Sequence, residues 1–250
     1  MQPISAVLIT LNEERNIEEA LQSLSWADEI VVVDCGSKDD TLTICRKYTD
    51  RILHRNWTGY VDQKNCAVEN ARNDWIFSLD ADERPSPELI LEIQELARKG
   101  FHNSGYKIPR ITFFLGRWIK HGEWYPDCQL RLFDRRRGKW EGGRVHESIK
   151  LNEKPGFLKG EIHHYTYRSL SDYLRRLEIY SKLAASDYQQ QGKKSGPIKL
   201  FGNPLAAFIR SYLIKGGFLD GTPGLAVAMM AAVSVFFKYA KLYELQRKLP

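Results

Sequence analysis

Hydrophobic positions change period repeatedly along the chain. Residues 6–10, AVLIT, form a short unbroken apolar run, which predicts a buried strand; Ile17, Leu21 and Leu24 then recur at helical spacing. The same alternation follows. EIVVVD (29–34) predicts a second strand, and DDTLTICRKY predicts a helix that Asp40 or Thr41 can cap. RILH (51–54) predicts a third, shorter strand, with a helix over 60–72 behind it. WIFSLD (75–80) predicts a fourth strand. SPELILEIQELARKG then reads as a helix with Ser86 as cap, Pro87 in its first turn and Gly100 at its stop. Strand–helix alternation with short links implies an α/β fold: a mostly parallel, doubly wound sheet with helices on both faces. Sheets of this kind bind ligands at the carboxyl ends of their strands.

From Ser171 onward the pattern is helical. Tyr173, Leu174, Leu177, Tyr180, Leu183 and Ala184 make an apolar stripe, QQQGKKSGP breaks it, and two more apolar segments follow. The second holds a charge-free run of 17 residues, 221–237, short of the ~20 that span a bilayer. The chain therefore divides into an α/β domain, residues 1–168, and a helical extension, residues 169–250.

Charge sharpens that division. The net charge is +6, but seven basic and two acidic residues from Lys199 onward put +5 in the tail and leave +1 for the first 198 residues. Lys215, Lys238 and Lys241 flank the apolar run, which suits an interfacial helix drawn to an anionic membrane surface. The plainer reading is a helix packed on the first domain or in a dimer interface, and the sequence leaves an oligomer open. If the tail is interfacial, a chain ending at Gly196 should be the more soluble one. A nucleic-acid partner is not expected, because the charge sits beside an apolar tail and no RNA-binding motif is present. Hydrophobic content of 43% with 27% charged residues marks a globular chain. The start has no basic region of a secretory signal, and the four cysteines lack metal-ligand or disulfide-framework spacing. Both suggest reduced thiols in the cytoplasm.

The polar chemistry gathers at strand ends. Thr10, Asn12, Glu13 and Glu14 follow the first strand, Asp34, Asp39 and Asp40 the second, and Asp80, Asp82 and Glu83 the fourth. Acids at helix starts are common, and that reading is open for Glu13, Glu14, Asp39 and Asp40. It is weaker for Asp80 and Asp82, because the next helix already has its cap in Ser86. Neither a dinucleotide fingerprint nor a P-loop is present. An acidic edge repels phosphate unless a divalent cation, Mg²⁺ or Mn²⁺, bridges the two, which would also explain why the acids are tolerated.

These stretches carry a resemblance. AVLITLNEERNIEEALQSL, EIVVVDCGSKDDT and KNCAVENARNDWIFSLDADE stand in order over the first third of the chain. Together they resemble the inverting family 2 glycosyltransferases of the GT-A fold. YPDCQLRLFDRRRGKWEGGRVHESI and HHYTYRS are similar to the bacterial branch that contains lipopolysaccharide core glucosyltransferases, which transfer glucose from UDP-glucose to an inner-core heptose. The resemblance implies a UDP-sugar donor and an anionic glycolipid acceptor. It implies that Thr10 and Glu13 line the nucleotide pocket, that Asp34 contacts uracil or ribose, and that Lys64 meets the base or diphosphate. Asp80 would hold ribose or metal, and Asp82 would be the main metal ligand. A late histidine completes the metal shell in some relatives, which makes His164 a candidate. Lys64 reads equally as an ordinary solvated helix lysine.

Two acids compete as catalytic base. Asp127 lies before the strand CQLRLFDRR, among aromatics, and could meet the acceptor. By the order of the broader family Glu147 occupies the base position, with His146 beside it. Arg135, Arg136 and Arg137, with Lys139 and Arg144, suit an acceptor bearing phosphates or acidic sugars. Trp124 joins them as an acceptor candidate, although any single aromatic here is more often core. The expected enzyme is metal-dependent and peripheral on the inner face of the cytoplasmic membrane. Sugar transfer to a polyprenyl phosphate and a non-catalytic, membrane-associated nucleotide-binding protein are the alternatives.

Overall fold

The computed structural model describes residues 1–142, 147–167 and 169–247. The chain forms two compact units. The first comprises Met1–Arg110 and Asp127–His164, and the second Ile111–Pro126 and Tyr165–Pro250.

The first unit opens with β1 (Ile4–Thr10), α1 (Ile17–Gln22), β2 (Glu29–Asp34), α2 (Thr41–Cys45), β3 (Ile52–His54), α3 (Tyr60–Glu69) and β4 (Trp75–Asp80). Then come β5 (Glu83–Pro85), α4 (Pro87–Lys99) and β6 (Gly105–Phe114), whose far end enters the second unit. The strands run in the order β3-β2-β1-β4, all parallel. β1 is buried along almost its whole length, as its unbroken apolar run requires of a central parallel strand. Its neighbours β2 and β4 lie on opposite sides, so the order reverses there. That is the switch point where open α/β sheets take ligands.

β7 (Arg117–Ile119) belongs to the second unit; β8 (Asp127–Asp134), β9 (Gly138–Gly142), β10 (Glu147–Leu151), β11 (Gly156–Phe157) and β12 (Ile162–His164) return to the first. β8 pairs antiparallel with β4, matching Trp75 to Asp134 and Phe77 to Leu132. β12 pairs antiparallel with β5, and β9 with β10 in a separate hairpin. In α4, Ser86 Oγ accepts from the Leu89 amide at 3.2 Å, Leu89, Ile93 and Ala97 face the core, and Gly100 leaves the helix at φ 97°. The sequence predicts the Ser86 cap and the Gly100 stop.

The second unit holds α5 (Leu170–Gln190), α6 (Pro197–Ile209) and α7 (Gly221–Arg247). The boundary differs from the expected division at residues 168 and 169. The chain changes unit after His164, and Ile111–Pro126 is inserted into the helical unit. The reason is apolar packing: Phe114 and Ile119, brought together by the β6–β7 hairpin, share a buried cluster with Tyr173, Leu177, Val227 and Met230.

Candidate active site

The parallel register puts Thr10 beside Asp34 and Ile9 beside Asp80, so three polar strand ends share one edge. They do different work. Asp34 is buried, and its carboxylate accepts from the Gly36 and Ser37 amides at 2.9 and 3.0 Å. It thereby shapes the turn after β2 from within. Thr10 Oγ1 is buried without a hydrogen-bond partner among the described residues, an unsatisfied group of the kind a ligand or water resolves. The Glu13 side chain accepts from Asn16 Nδ2 at 2.7 Å, and its carbonyl takes the first amides of α1. Glu14 and Asp39 lace the two loops together, the Glu14 amide donating to Asp39 Oδ2 at 3.2 Å. For these loop acids the helix-start reading describes the contacts seen.

The centre of the site is a chain of alternating charge. Lys64 Nζ lies 3.3 Å from Glu147 Oε1 and 3.0 Å from Asp80 Oδ1. Arg131 Nη2 is 2.8 Å from both Asp80 Oδ2 and Glu83 Oε1. Arg110 Nη1 continues to Glu83 Oε1 at 2.7 Å, and its Nε to Asp127 Oδ2 at 2.9 Å. Glu83 is fully buried, and its Oε2 also accepts the Asp80 amide at 3.1 Å. The Lys64 ammonium stands 4.3 Å from the centre of the Trp140 ring, which adds a cation–π contact.

Burial by itself would raise the Asp80 carboxyl, but the Arg131 and Lys64 cations outweigh it and hold the group well below the usual carboxylate range. For Arg131 burial works against the charge, and the Asp80 and Glu83 carboxylates more than restore it. Arg110 is kept charged in the same way, by Glu83 and Asp127 against its burial. The sequence reading makes a metal the reason these acids are tolerated. For Asp80 and Glu83 the reason is resident instead: three cations from α3, β6 and β8 pair them.

Asp82 faces a histidine. The β5–β12 register sets His164 opposite Glu83, and His164 Nε2 comes 3.4 Å from Asp82 Oδ2, both side chains being largely covered. No cluster of three or more His, Cys, Asp or Glu suited to a metal exists among the described residues. One carboxylate and one imidazole are nevertheless donors of a kind that would suit a divalent ion. Of the expected ligands Asp80, Asp82 and His164, Asp80 has its two oxygens on Lys64 and Arg131, while Asp82 and His164 face each other.

Other expectations require correction. Arg135, Arg136 and Arg137 do not join the crevice. They follow Asp134, which pairs with Trp75 at the amino end of β4, the end opposite Asp80. Arg136 is bound by Asp134 and Asp74 and Arg137 by Glu153, and Arg135 Nη1 donates to the carbonyls of Val68 and Ala71. The run is a turn tied to its own acids. Trp124 lies in the second unit, packed against Phe114 and Tyr167 with ring centres 5.3 and 5.5 Å away. Arg144 and His146 lie outside the described residues. Asp127 and Glu147 both stand on the charge chain, at its two ends. Lys64, open to a solvated reading from sequence, is buried.

Arg131, Arg110 and Trp140 escape the sequence reading. A signal existed for the first: Arg131 interrupts the apolar series Leu130, Leu132 and Phe133, and a charge at a core position implies a buried counter-charge.

The sequence model described as "Glycosyl transferase family 2" matches residues 5–176. The lipopolysaccharide core biosynthesis glycosyltransferase LpsC of Rhizobium meliloti is 31% identical over 249 residues, spanning 97% of this chain and 92% of that relative. An uncharacterized glycosyltransferase of Rickettsia typhi is 31% identical over 262 residues, spanning 99% of this chain and 89% of its own length. Among solved structures, S. aureus TarS in complex with UDP is 26% identical over 46% of this chain and 37% of that one, with a TM-score of 0.39.

Proposed function

The chain belongs to glycosyl transferase family 2 and is a glycosyltransferase, and from that premise we propose that it transfers a hexose, glucose from UDP-glucose first of all, to a lipopolysaccharide inner-core or similar glycolipid, with inversion at the anomeric carbon. The acceptor class is supported by the full-length similarity to LpsC. The reaction is supported by one observation above all, the Glu147–Lys64–Asp80 arrangement. It pairs a candidate base with a buried cation beside the sheet's switch point.

In this reading Glu147 accepts the proton of the acceptor hydroxyl as that oxygen bonds to the anomeric carbon. The bond from that carbon to the diphosphate breaks, and its electron pair leaves with UDP. Lys64, 3.3 Å from Glu147 and 3.0 Å from Asp80, fixes the base in position and contributes positive charge where the diphosphate departs. A divalent cation, Mg²⁺ or Mn²⁺, held by Asp82 and His164, would supply further charge neutralisation for the leaving group. Thr10, with its unpartnered hydroxyl, is suited to the nucleotide.

Transfer to a polyprenyl phosphate depended on an arginine patch for the acceptor phosphate, and that run is tied to Asp74, Asp134 and Glu153. A lipid-borne acceptor places the enzyme at a membrane, which we read as peripheral attachment on the cytoplasmic face. The test is to incubate the full chain with labelled UDP- and GDP-sugars and truncated core glycolipids. Transfer from UDP-glucose to a core glycolipid is expected. Transfer to polyprenyl phosphate alone, or to neither, contradicts the reading.

A further inference from the structure

α6 turns its apolar side outward. Ile198 is 88% exposed, Phe201 66%, Leu205 61% and Ile209 39%, at helical spacing. The stripe continues through Leu213 at 56% and Ile214 at 76%. Within α6 only Ala207 is buried. A helix that merely packs in its unit shows the reverse arrangement, polar outside and apolar inside. A continuous exposed apolar row of this length marks a docking surface.

Charge identifies what docks. The unit that carries α6 has 15 Lys and Arg against six Asp and Glu, a net +9, while the other unit has 22 against 25, a net −3. A second copy seated on this face would bring +9 against +9. An anionic surface would be attracted. Lys194 and Lys199 stand exposed at the start of α6, where a headgroup layer would meet them, whereas Arg210 and Lys215 at its end share Glu123.

We propose that the outward face of α6, with Leu213 and Ile214, seats in an anionic phospholipid bilayer, the helix lying in the interfacial plane. This deepens the peripheral attachment proposed above and rests on it. It also reassigns the inserting element. The sequence points to the apolar run of α7, and among the described residues Gly217–Arg247, 31 residues, is the one segment long and apolar enough to cross a membrane. Yet Val227, Ala228, Met230 and Leu242 of α7 are buried, and the Tyr173 hydroxyl donates to the Met230 carbonyl at 2.7 Å. α7 packs its unit through these residues while Leu225, Met229 and Phe237 stay exposed, and α6 carries the longer and more exposed apolar row.

The test is flotation of the full chain with vesicles of phosphatidylcholine alone or with added phosphatidylglycerol. Beside the wild type stand two variants, Phe201→Asp with Leu205→Asp, and Lys194→Glu with Lys199→Glu. All four side chains are exposed, so circular dichroism and UDP binding should match the wild type in both. The wild type is expected to float with phosphatidylglycerol vesicles, more at low salt than at high. The apolar double variant should partition at least about 10-fold less, and the lysine variant should lose most of its salt-sensitive part. Equal flotation of wild type and apolar variant, or no flotation of the wild type, overturns the proposal. So does light scattering that shows a wild-type dimer converted to a monomer by the apolar substitutions. If UDP binding fails while flotation succeeds, it is the donor reading that falls and not this one.

Discussion

Arg131 pairs with both Asp80 and Glu83. Replacing it by Met leaves Asp80 and Glu83 short of a counter-charge, which costs about 3–5 kcal/mol when a buried partner is removed. Chemical denaturation should report that loss, whereas Arg136→Ala should cost less, because the Arg136 side chain is largely exposed and the buried Asp134 carboxylate still accepts the backbone amide of residue 136. The same cations set a pH dependence. Burial opposes ionisation of Asp80, but Arg131 and Lys64 bring its folded pKa well below the unfolded value. Its contribution is therefore fully present above about pH 4 and is lost as the pH falls through the folded pKa. Asp80→Asn should flatten the acid limb of a plot of stability against pH; an unchanged limb would show that Asp80 is not so held. Asp82 differs, because it faces the imidazole of His164. Asp82→Asn should abolish the difference in UDP affinity between Mn²⁺ and chelator in titration calorimetry, with the fold intact. Equal wild-type affinity in both conditions would remove the metal from the account.

α4 shows how far local sequence determines an element. Ser86, Pro87 and Gly100 announce its ends before any tertiary information, and the structure buries Leu89, Ile93 and Ala97 along one face. Ser86→Ala should cost about 1 kcal/mol in thermal or chemical unfolding. β8 shows the limit. Its apolar residues were legible, but the antiparallel pairing that carries Arg131 towards Asp80 and the arginine run away from it is a long-range choice. No window of sequence contains it. α7 was legible as a helix and not in its packing, because Gly224 matters only through its neighbours. A Cβ on Gly224 would stand 1.9 Å from the Gly217 carbonyl oxygen and 2.9 Å from Asp220 Cβ. Gly224→Val should therefore disrupt the helical unit, seen as loss of the cooperative unfolding transition.

At the scale of the molecule, the strand ends of the α/β unit and its fold class could be read from the chain, whereas the unit boundary could not. Apolar side chains of Ile111–Pro126 find their partners on helices far along the sequence. That overturns the expectation for a chain ending at Gly196. Removing α6 and α7 would uncover Phe114, Ile119, Tyr173 and Leu177, so the shortened chain should aggregate and not gain solubility. The central claim is that Glu147 is the base of a glycosyl transfer from a nucleotide sugar. Its most direct test compares wild type and Glu147→Gln in product formation from UDP-glucose and a core glycolipid, with UDP-sugar affinity measured alongside. A base acts in the transition state, so turnover should fall by roughly 10²-fold or more while affinity stays close to that of the wild type. Near-full turnover in Glu147→Gln, above all if Asp127→Asn loses it, would contradict the account.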